Sequence, residues 1–592
     1  MNTFNVGDFF SNIFGGLNPT TYTSERMSSS TSSYASTSNL FIQKYNDVEY
    51  LVDCYLDSSN QLGSSSSHKH HINPAAIISL SIEETLTNWI TEGSLTFLYS
   101  PDDAPAKQQT VSAQGTSTTL LGRPETEDVL KSYQFRGDGF DTLRFSIIPK
   151  LKPSSGSESP VTISGNDPNW MLSYLFSVYN VEDVNDVPQL KGPGSEYMKC
   201  LKLSFRDLRY QILKTTNLEY STSLSPEGES DNGLSNGYFP QKTLSTGTIL
   251  YELFTKGLEK STHGGNLILS PVDKSDFEQG DSKIFYTSPA QWSVADDIDY
   301  VYGQHVSSTK VGTKETRDIS ILGTKRSSTG TYIGELTLTP VSKFFEDVGT
   351  SSDAPGKNQI EHFFTTSHTA EESQAGKMWM APLGRSLDRD LKTAKYGQII
   401  SYSYVDMSPE MNADLLRSTP VYSVDIGRRA FQAKFEGNTV KDMRDAISET
   451  YIKKLYRGAG DTKDLFLPTL HQQKENTNMF PTFSLNGELD PNGYGELTRQ
   501  KNGITQLLYT GLFQNACVCF TTFGLTIRQP GKFIAIDKLN KAKQSDYNNK
   551  LFGQWLVIKV VHGFEAGAYM NAIYAVKVHR HKPKELTFPN TI

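Results

Sequence analysis

The sequence predicts a mainly β protein with α+β insertions: two related antiparallel β-barrel domains around a mixed central region. Three observations carry this. Both ends of the chain are built of short apolar runs cut by Gly, Pro or polar turns, and the best of them alternate with period two. Aromatic residues make up 11% of the chain although apolar residues reach only 36%, and Tyr and Phe suit pleated, half-buried surfaces. The middle switches to helical spacing in places. At 592 residues the chain exceeds what one core fills, since single cores rarely grow past ~250–300 residues. The reading is an arm at 1–39, a first barrel with an inserted excursion at 40–215, a central region at 216–505 and a closing barrel at 506–592.

In order, the chain opens with an aromatic patch (Phe9, Phe10, Ile13, Phe14) and a Ser/Thr-rich tract from Thr20 to Asn39. Such a tract buries too little apolar surface to fold alone, so it reads as an arm, free or ordered by a partner. The run NLFIQKYNDVEYLVDCYLD carries a hairpin turn at Asn46-Asp47. His68, His70 and His71 follow four serines. A histidine cluster can bind metal, but the flanks offer no frame, and the stretch reads as a loop tip. Arg136-Gly137-Asp138 precedes Gly139 and reads as a turn, not an adhesion signal. Residues 153–157 read as a linker loop, and Asn169–Val178 as a buried helix or strand. The run KCLKLSFRDLRYQIL returns to strand character, and a Ser/Gly/Asn-rich loop spans roughly 222–246.

The central region holds the helical signals. A helix is expected from Ile249. Ser288-Pro289-x-Gln291 reads as a helix start, with Trp292, Ala295, Ile298 and Val301 on its core face. RDISILG and TYIGELTLTP pair as a hairpin, and GQIISYSYVD and PVYSVDIGRRAFQAKFEG read as further strands. A helix is predicted over Thr439–Arg457, capped by Asn438 and ended by Gly458. Pro468–Asn502 is polar and turn-rich, and a short helix over 503–512 leads into the last unit.

That unit is the stretch the chain is organised around. NACVCFTTFGLTIRQPGKFIAIDKL gives a strand, a turn at Gln529-Pro530-Gly531 and a strand ending at Asp537. After a polar spacer, Trp555–Val561 is apolar on both faces and so covered on both sides. Gly563 and Gly567 read as bracketing a hairpin connection. In the last run Met570, Ala572, Tyr574, Val576 and Val578 take one face, and Asn571, Lys577 and His579 the other.

The order Gly553-x-Trp555-Leu-Val-x-x-Val560-x-His562-x-Phe564-x-x-Gly567-x-Tyr569 resembles the C-terminal barrel of phage tail baseplate central hub proteins (the myovirus hub and late-control families). The likeness covers about the last ninety residues well. HINPAAIISLSIEETLTNWITEGSLTFLYS resembles their first barrel, a strand, a carboxylate-bearing turn and a glycine-bearing strand. The resemblance makes Gly553, Trp555, His562, Phe564, Gly567 and Tyr569 a fold signature and assigns none of them chemistry. It implies a homotrimer whose six barrels form a pseudo-sixfold ring. That ring adapts the tail tube protein to the central spike protein, contacts other baseplate proteins and leaves a channel for DNA. The implied place is the virion tail tip, assembled in the host cytoplasm. The rival reading is a receptor- or carbohydrate-binding β protein of the virion. A secreted hydrolase is a weaker third.

The chemistry search returns no enzyme motif: no G-x-S-x-G, H-E-x-x-H, Walker loop or dinucleotide fingerprint. Glu83-Glu84 and Asp296-Asp297 are adjacent, so their side chains diverge and form no acid/base pair. The four cysteines are too few for a disulfide framework. Cys54 and Cys200 stand alone, and Cys517-x-Cys519 lacks a second ligand pair. All four read as reduced structural thiols. No cofactor or metal is expected. The net charge of −8 is spread along the chain, which argues against a dedicated nucleic-acid surface. Lys577, His579, Arg580, His581 and Lys582 are the nearest thing to a basic cluster. The N-terminus lacks signal-peptide character, and no stretch reaches the ~18 apolar residues of a membrane span.

Overall fold

The computed structural model describes residues 25–26, 41–45, 48–57, 69–72, 74–99, 110–113, 116–119, 135, 138–151, 161–162, 171–184, 199–217, 244–259, 277, 283–284, 291–303, 305, 307–311, 314–318, 320–326, 334–341, 344, 360–365, 396–406, 421–425, 430–434, 481–484, 516–537, 551, 553–565 and 568–577. The predicted helices at Thr439–Arg457 and 503–512 lie outside these residues. So do the 153–157 linker, nearly all of the 1–39 arm and the basic run beyond Lys577.

The chain is mainly β and antiparallel. Its strands include β1 (Phe41–Tyr45), β2 (Val48–Asp57), β3 (Ile77–Thr85), β4 (Glu92–Tyr99), β5 (Asp141–Leu151), β6 (Leu172–Val184) and β7 (Lys199–Asp207). The central region contributes β8 (Ser320–Lys325), β9 (Glu335–Pro340), β10 (Ile360–Thr365) and β11 (Ser401–Asp406). The closing set is β12 (Ala516–Phe523), β13 (Phe533–Asp537), β14 (Gly553–Glu565) and β15 (Ala568–Lys577). Among the described residues three α-helices pack beside them: α1 (Leu208–Thr215), α2 (Thr246–Glu259) and α3 (Val294–Tyr302).

One sheet runs from the N-terminal to the C-terminal strands in the order β1-β2-β5-β6-β7-β4-β3-β14-β15-β12-β11. Side-chain alternation explains its first half. In β3, Ile78, Leu80, Ile82 and Glu84 are the buried positions. The inner face with Leu80 and Ile82 joins Val52, Cys54 and Leu56 of β2, Phe145 and Ile147 of β5, Phe176 of β6 and Phe205 of β7 in one core. Gly93 sits where β4 crosses this core. A Cβ there would run into Ser81 O and meet the Phe205 ring at 2.5 Å, so only glycine lets the backbones approach.

The C-terminal strands wrap a second core of Val518, Phe520, Ile534, Ile536, Trp555, Val560 and Ile573. Strand β14 belongs to both units. Gly553–Leu556 pair with β13 at Phe533–Ile536, and Lys559–Glu565 pair with β3 at Ser79–Thr85 on the same edge. The register against β15 slips between Val557 and Lys559. This bulge turns the strand from one partner to the other. Its backbone groups are satisfied: Ile558 O accepts from Leu86 N–H at 2.7 Å, and Val557 O accepts from Gly531 N–H at 2.8 Å. Gly531 has φ +81°, the left-handed conformation that the expected Pro-Gly turn requires.

A third core is helical. Ile212, Leu253, Phe254, Ile298 and Val301 pack with Leu322 and Leu338 of the β8–β9 hairpin and with Trp89. Arg209 on α1 is fully buried and forks onto Asp207, with Nη2 to Oδ2 at 2.6 Å, while Nη1 donates to Gly334 O at 2.6 Å. The bond to Gly334 O, with one from Nη2 to Thr324 Oγ1 at 3.3 Å, ties α1 to the hairpin. No helix among the described residues is long and apolar enough to cross a membrane.

Several expectations shift. Lys69–His71 form a strand paired with Tyr55–Asp57 rather than a loop tip, because the edge of β2 offers unpaired backbone groups there. Glu83 and Glu84 lie within β3, not in a turn. Gly563 lies inside β14, and the β14–β15 connection is only Ala566-Gly567. Helix α3 starts at Ser293, not Ser288. Ser293 Oγ accepts from Asp296 N–H, and the Asp296 carboxylate accepts from Ser293 N–H, a capping box. Helix α1 follows β7 directly, capped by Asp207. Asn571 and Ile573 on one face of β15 are as inaccessible as Ala572 on the other, so the strand is covered on both sides there.

Trp555 is fully buried, and its Nε1–H donates to Leu551 O at 2.8 Å. Trp555→Ala should cost about 3–5 kcal/mol through the cavity it leaves. Denaturant unfolding monitored on the C-terminal strands checks this.

Candidate functional site

The densest constellation of ionisable groups lies where β3 meets β14. Glu84 continues the alternation of Leu80 and Ile82 on the buried face of β3, so its carboxylate points inward. Arg326, just past β8, reaches it with two bonds, Nε to Oε1 at 2.8 Å and Nη2 to Oε2 at 2.7 Å. This fork is the strong geometry for a buried pair. Tyr174 of β6 donates to Oε1 of the same carboxylate. Arg326 also donates to Thr526 O, and to Arg528 O at 2.9 Å, which closes the 524–531 loop over the seam.

His562 of β14 is fully buried on the other side of Glu84, with Nε2 3.1 Å from Oε2. Its Nδ1 lies 2.7 Å from Tyr569 Oη and 3.0 Å from Asn571 Nδ2. Asn571 Oδ1 accepts from Leu525 N–H at 2.7 Å and from Arg528 Nη1 at 2.9 Å. Both partners only donate, so the amide orientation is settled, and Nδ2 faces the imidazole Nδ1 at 3.0 Å and Tyr569 Oη at 3.4 Å. The shorter Nδ2–Nδ1 contact and the facing carboxylate together favour the neutral Nε2–H tautomer, donating to Glu84. Arg528 finishes the chain, with Nη2 to Tyr396 O at 2.5 Å and Nη1 to Phe523 O at 2.5 Å.

The electrostatics follow from this packing. Burial pushes the Glu84 carboxyl up, but the Arg326 charge and the bonds from His562 and Arg326 outweigh it and hold the group below the usual carboxylate range. Burial holds the His562 imidazole below its ordinary value, and Arg326 and Arg528 add to that against the pull of Glu84. Burial raises the Tyr174 and Tyr569 hydroxyls. The network thus holds one carboxylate, two guanidinium groups and a neutral imidazole.

Among the signature residues, the structure brings His562, Phe564 and Tyr569 together. Phe564 stacks on Tyr569 with centroids 4.1 Å apart, and both enter the N-terminal core with Tyr45 and Tyr50. Trp555 lies in the other core, Gly553 opens β14 opposite Ile536, and Gly567 is outside the described residues. The carboxylate pairs divide as adjacency dictates. Glu84 enters the seam while Glu83 faces outward to Lys559. Sequence reading missed Glu84, Arg326, Arg528 and Asn571 as a set. The signal for Glu84 was a carboxylate two residues after Ile82 on an apolar face. Cys54 and Cys200 are buried, Cys517 and Cys519 half-buried, and all four are free thiols. Among the described residues no group of His, Cys, Asp and Glu could hold a metal ion.

No protein-family model and no curated protein matches the chain. Among solved structures it is similar to the tail protein from Neisseria meningitidis MC58, at 7% identity and TM-score 0.35, over 89% of this chain and 96% of that one. It is similar to the 43 kDa tail protein of prophage MuSo2 from Shewanella oneidensis, at 9% identity and TM-score 0.37, over 89% and 98%. It is also similar to an E. coli protein described as a component of the type VI secretion system, at 6% identity and TM-score 0.29, over 86% and 77%.

Removing one partner strands the other's buried charge. Arg326→Met should cost about 3–5 kcal/mol. Adding Glu84→Gln should cost less than the two single changes summed, with a coupling of about 1–3 kcal/mol. Denaturant titration of the four chains of this cycle reads it, and additive single changes would deny the link.

Proposed function

We propose that the chain is the structural hub of a phage tail tip, a non-enzymatic adaptor between tail tube and central spike. The observation that carries the reading is the β14–β15 hairpin. It bears the residues that resemble the hub families, and it is also the element that fuses the C-terminal core to the N-terminal sheet. In this reading the units at 40–215 and 506–592 are the two barrels, the central region 216–505 is an added module, and Gly553, Trp555, His562, Phe564, Gly567 and Tyr569 act through the fold. A chain that holds two sheet-wrapped units rigidly side by side is the simplest way for three copies to offer six similar surfaces. Glu84 and His562 are spent on each other and on largely buried partners, which suits structure rather than catalysis. The homotrimer, the spike, tube and baseplate partners, and the place in the virion belong to the same proposal.

Solution mass tests it. Native mass spectrometry of the purified chain, alone and with candidate spike and tube proteins, should show three copies. A chain that stays monomeric with those partners present would overturn the hub reading.

The channel is proposed to pass DNA without holding it. A net charge of −8 with scattered basic residues gives phosphate little to bind, and each phosphate neutralised would steepen the salt dependence of affinity by about one log unit. Duplex DNA titrated at low and physiological salt should bind weakly at low salt and lose that binding at physiological salt. Tight binding at physiological salt would point to DNA handling instead.

A further inference from the structure

We propose that the seam between β3 and β14 is acid-sensitive, and that His562 is the group that senses acid. The geometry disfavours a charged ring, although Tyr569 Oη, 2.7 Å from Nδ1, is an oxygen that an Nδ1–H could reach. Nδ1 faces the Asn571 amide N–H at 3.0 Å, and that amide cannot turn round because Leu525 N–H and Arg528 hold its oxygen. A proton on Nδ1 would meet that N–H head on. It would also place a second cation beside Arg326, whose Nη2 lies 3.2 Å from Nε2.

The groups around the ring come from every packed element. Glu84 comes from β3, Arg326 from the end of β8, Arg528 from the 524–531 loop, and Tyr569 and Asn571 from β15. Only Glu84 is anionic, and Arg326 already takes both its oxygens. Full burial denies the imidazolium water. The ring therefore gains its proton only when β14 parts from β3, which exposes His562 and unmakes the pairing of Lys559–Glu565 with Ser79–Thr85.

The sign follows from linkage. The closed seam holds the His562 pKa below its open value, so opening takes up a proton. The seam is at full strength above the open value, near 6.5, and weakens as pH falls through it. Glu84 works in a lower window, since its closed pKa is depressed below the usual carboxylate range. A floor at about pH 5 keeps it ionised in both states.

Hydrogen exchange on the full chain tests the idea. Protection factors for peptides across 77–85 and 559–565 should fall roughly thirtyfold between pH 8 and pH 5, the ratio for one proton taken up at an ordinary histidine pKa. His562→Gln keeps an N–H for Glu84 and an acceptor for Asn571 but does not titrate, so its protection should stay flat. Amides of 143–147 in β5 act as the control, because that strand pairs with β2 and β6 and not across the seam. A wild-type seam that ignores pH, or a His562→Gln chain that follows the wild-type curve, overturns the proposal. Should that variant not fold, deuterium exchange at the imidazole C2 of wild-type His562 decides. A midpoint near the ordinary value overturns the proposal, and one well below it supports it.

Discussion

The Glu84 carboxylate is the constraint on which the rest of the structure depends. A carboxylate on the apolar face of a strand cannot stay charged unless something pairs with it. Arg326 meets that need from the central region, His562 from the C-terminal hairpin and Tyr174 from β6. Three parts of the sequence, separated by 90 to nearly 480 positions, are thereby bound to one atom pair. One apolar core bridges the same join through Leu525, Phe564 and Tyr569. Phe564 and Tyr569 enter the N-terminal core as ordinary packing, while the polar chain from Tyr174 to Tyr396 sets how they enter.

The shared strand explains why the N-terminal and C-terminal units are not separable by inspection of the chain. β14 spends its first residues on β13 and its last on β3. The bulge between them costs a ladder position but gives the strand the turn it needs to pass from one partner to the other within one sheet. Leu525, Phe564 and Tyr569 then complete a core otherwise built before residue 210, apart from Tyr396. A core completed by residues so distant in sequence requires long loop closure, an entropic cost that local hairpins do not carry.

Much of this was legible in the residues. Period-two runs placed β1–β2, β8–β9 and β12–β15, and double-sided apolarity correctly marked Trp555–Val561 as covered on both faces. The failures have physical causes. Helix α1 was hidden because LRYQILKT continues the apolar alternation of β7, and only the Asp207 cap divides them. Asn571 was set on a face of the last strand with Lys577 and His579, and nothing in the alternation shows that its amide completes a buried chain. Arg326 was invisible, since a lone cation after a hairpin strand looks solvated until its carboxylate partner, 242 positions earlier, is brought beside it.

The choice of ions over apolar side chains at this join has a rationale in specificity. A buried ion pair is often no more stable than a well-packed apolar substitute, so stability alone does not explain it. Register does. Side chains alternate across a strand, so sliding β14 by one residue against β3 would turn His562 outward and leave Glu84 buried facing an apolar neighbour. An all-apolar seam such as Ile82 against Val560 and Val561 would tolerate that slip at small cost, because both faces of β14 are already apolar. The charged seam makes the slipped pairing cost the desolvation of an unpaired carboxylate. The orientation of the C-terminal core relative to the N-terminal sheet is thus single-valued, which is what any assembly that repeats both units around an axis requires of its building block.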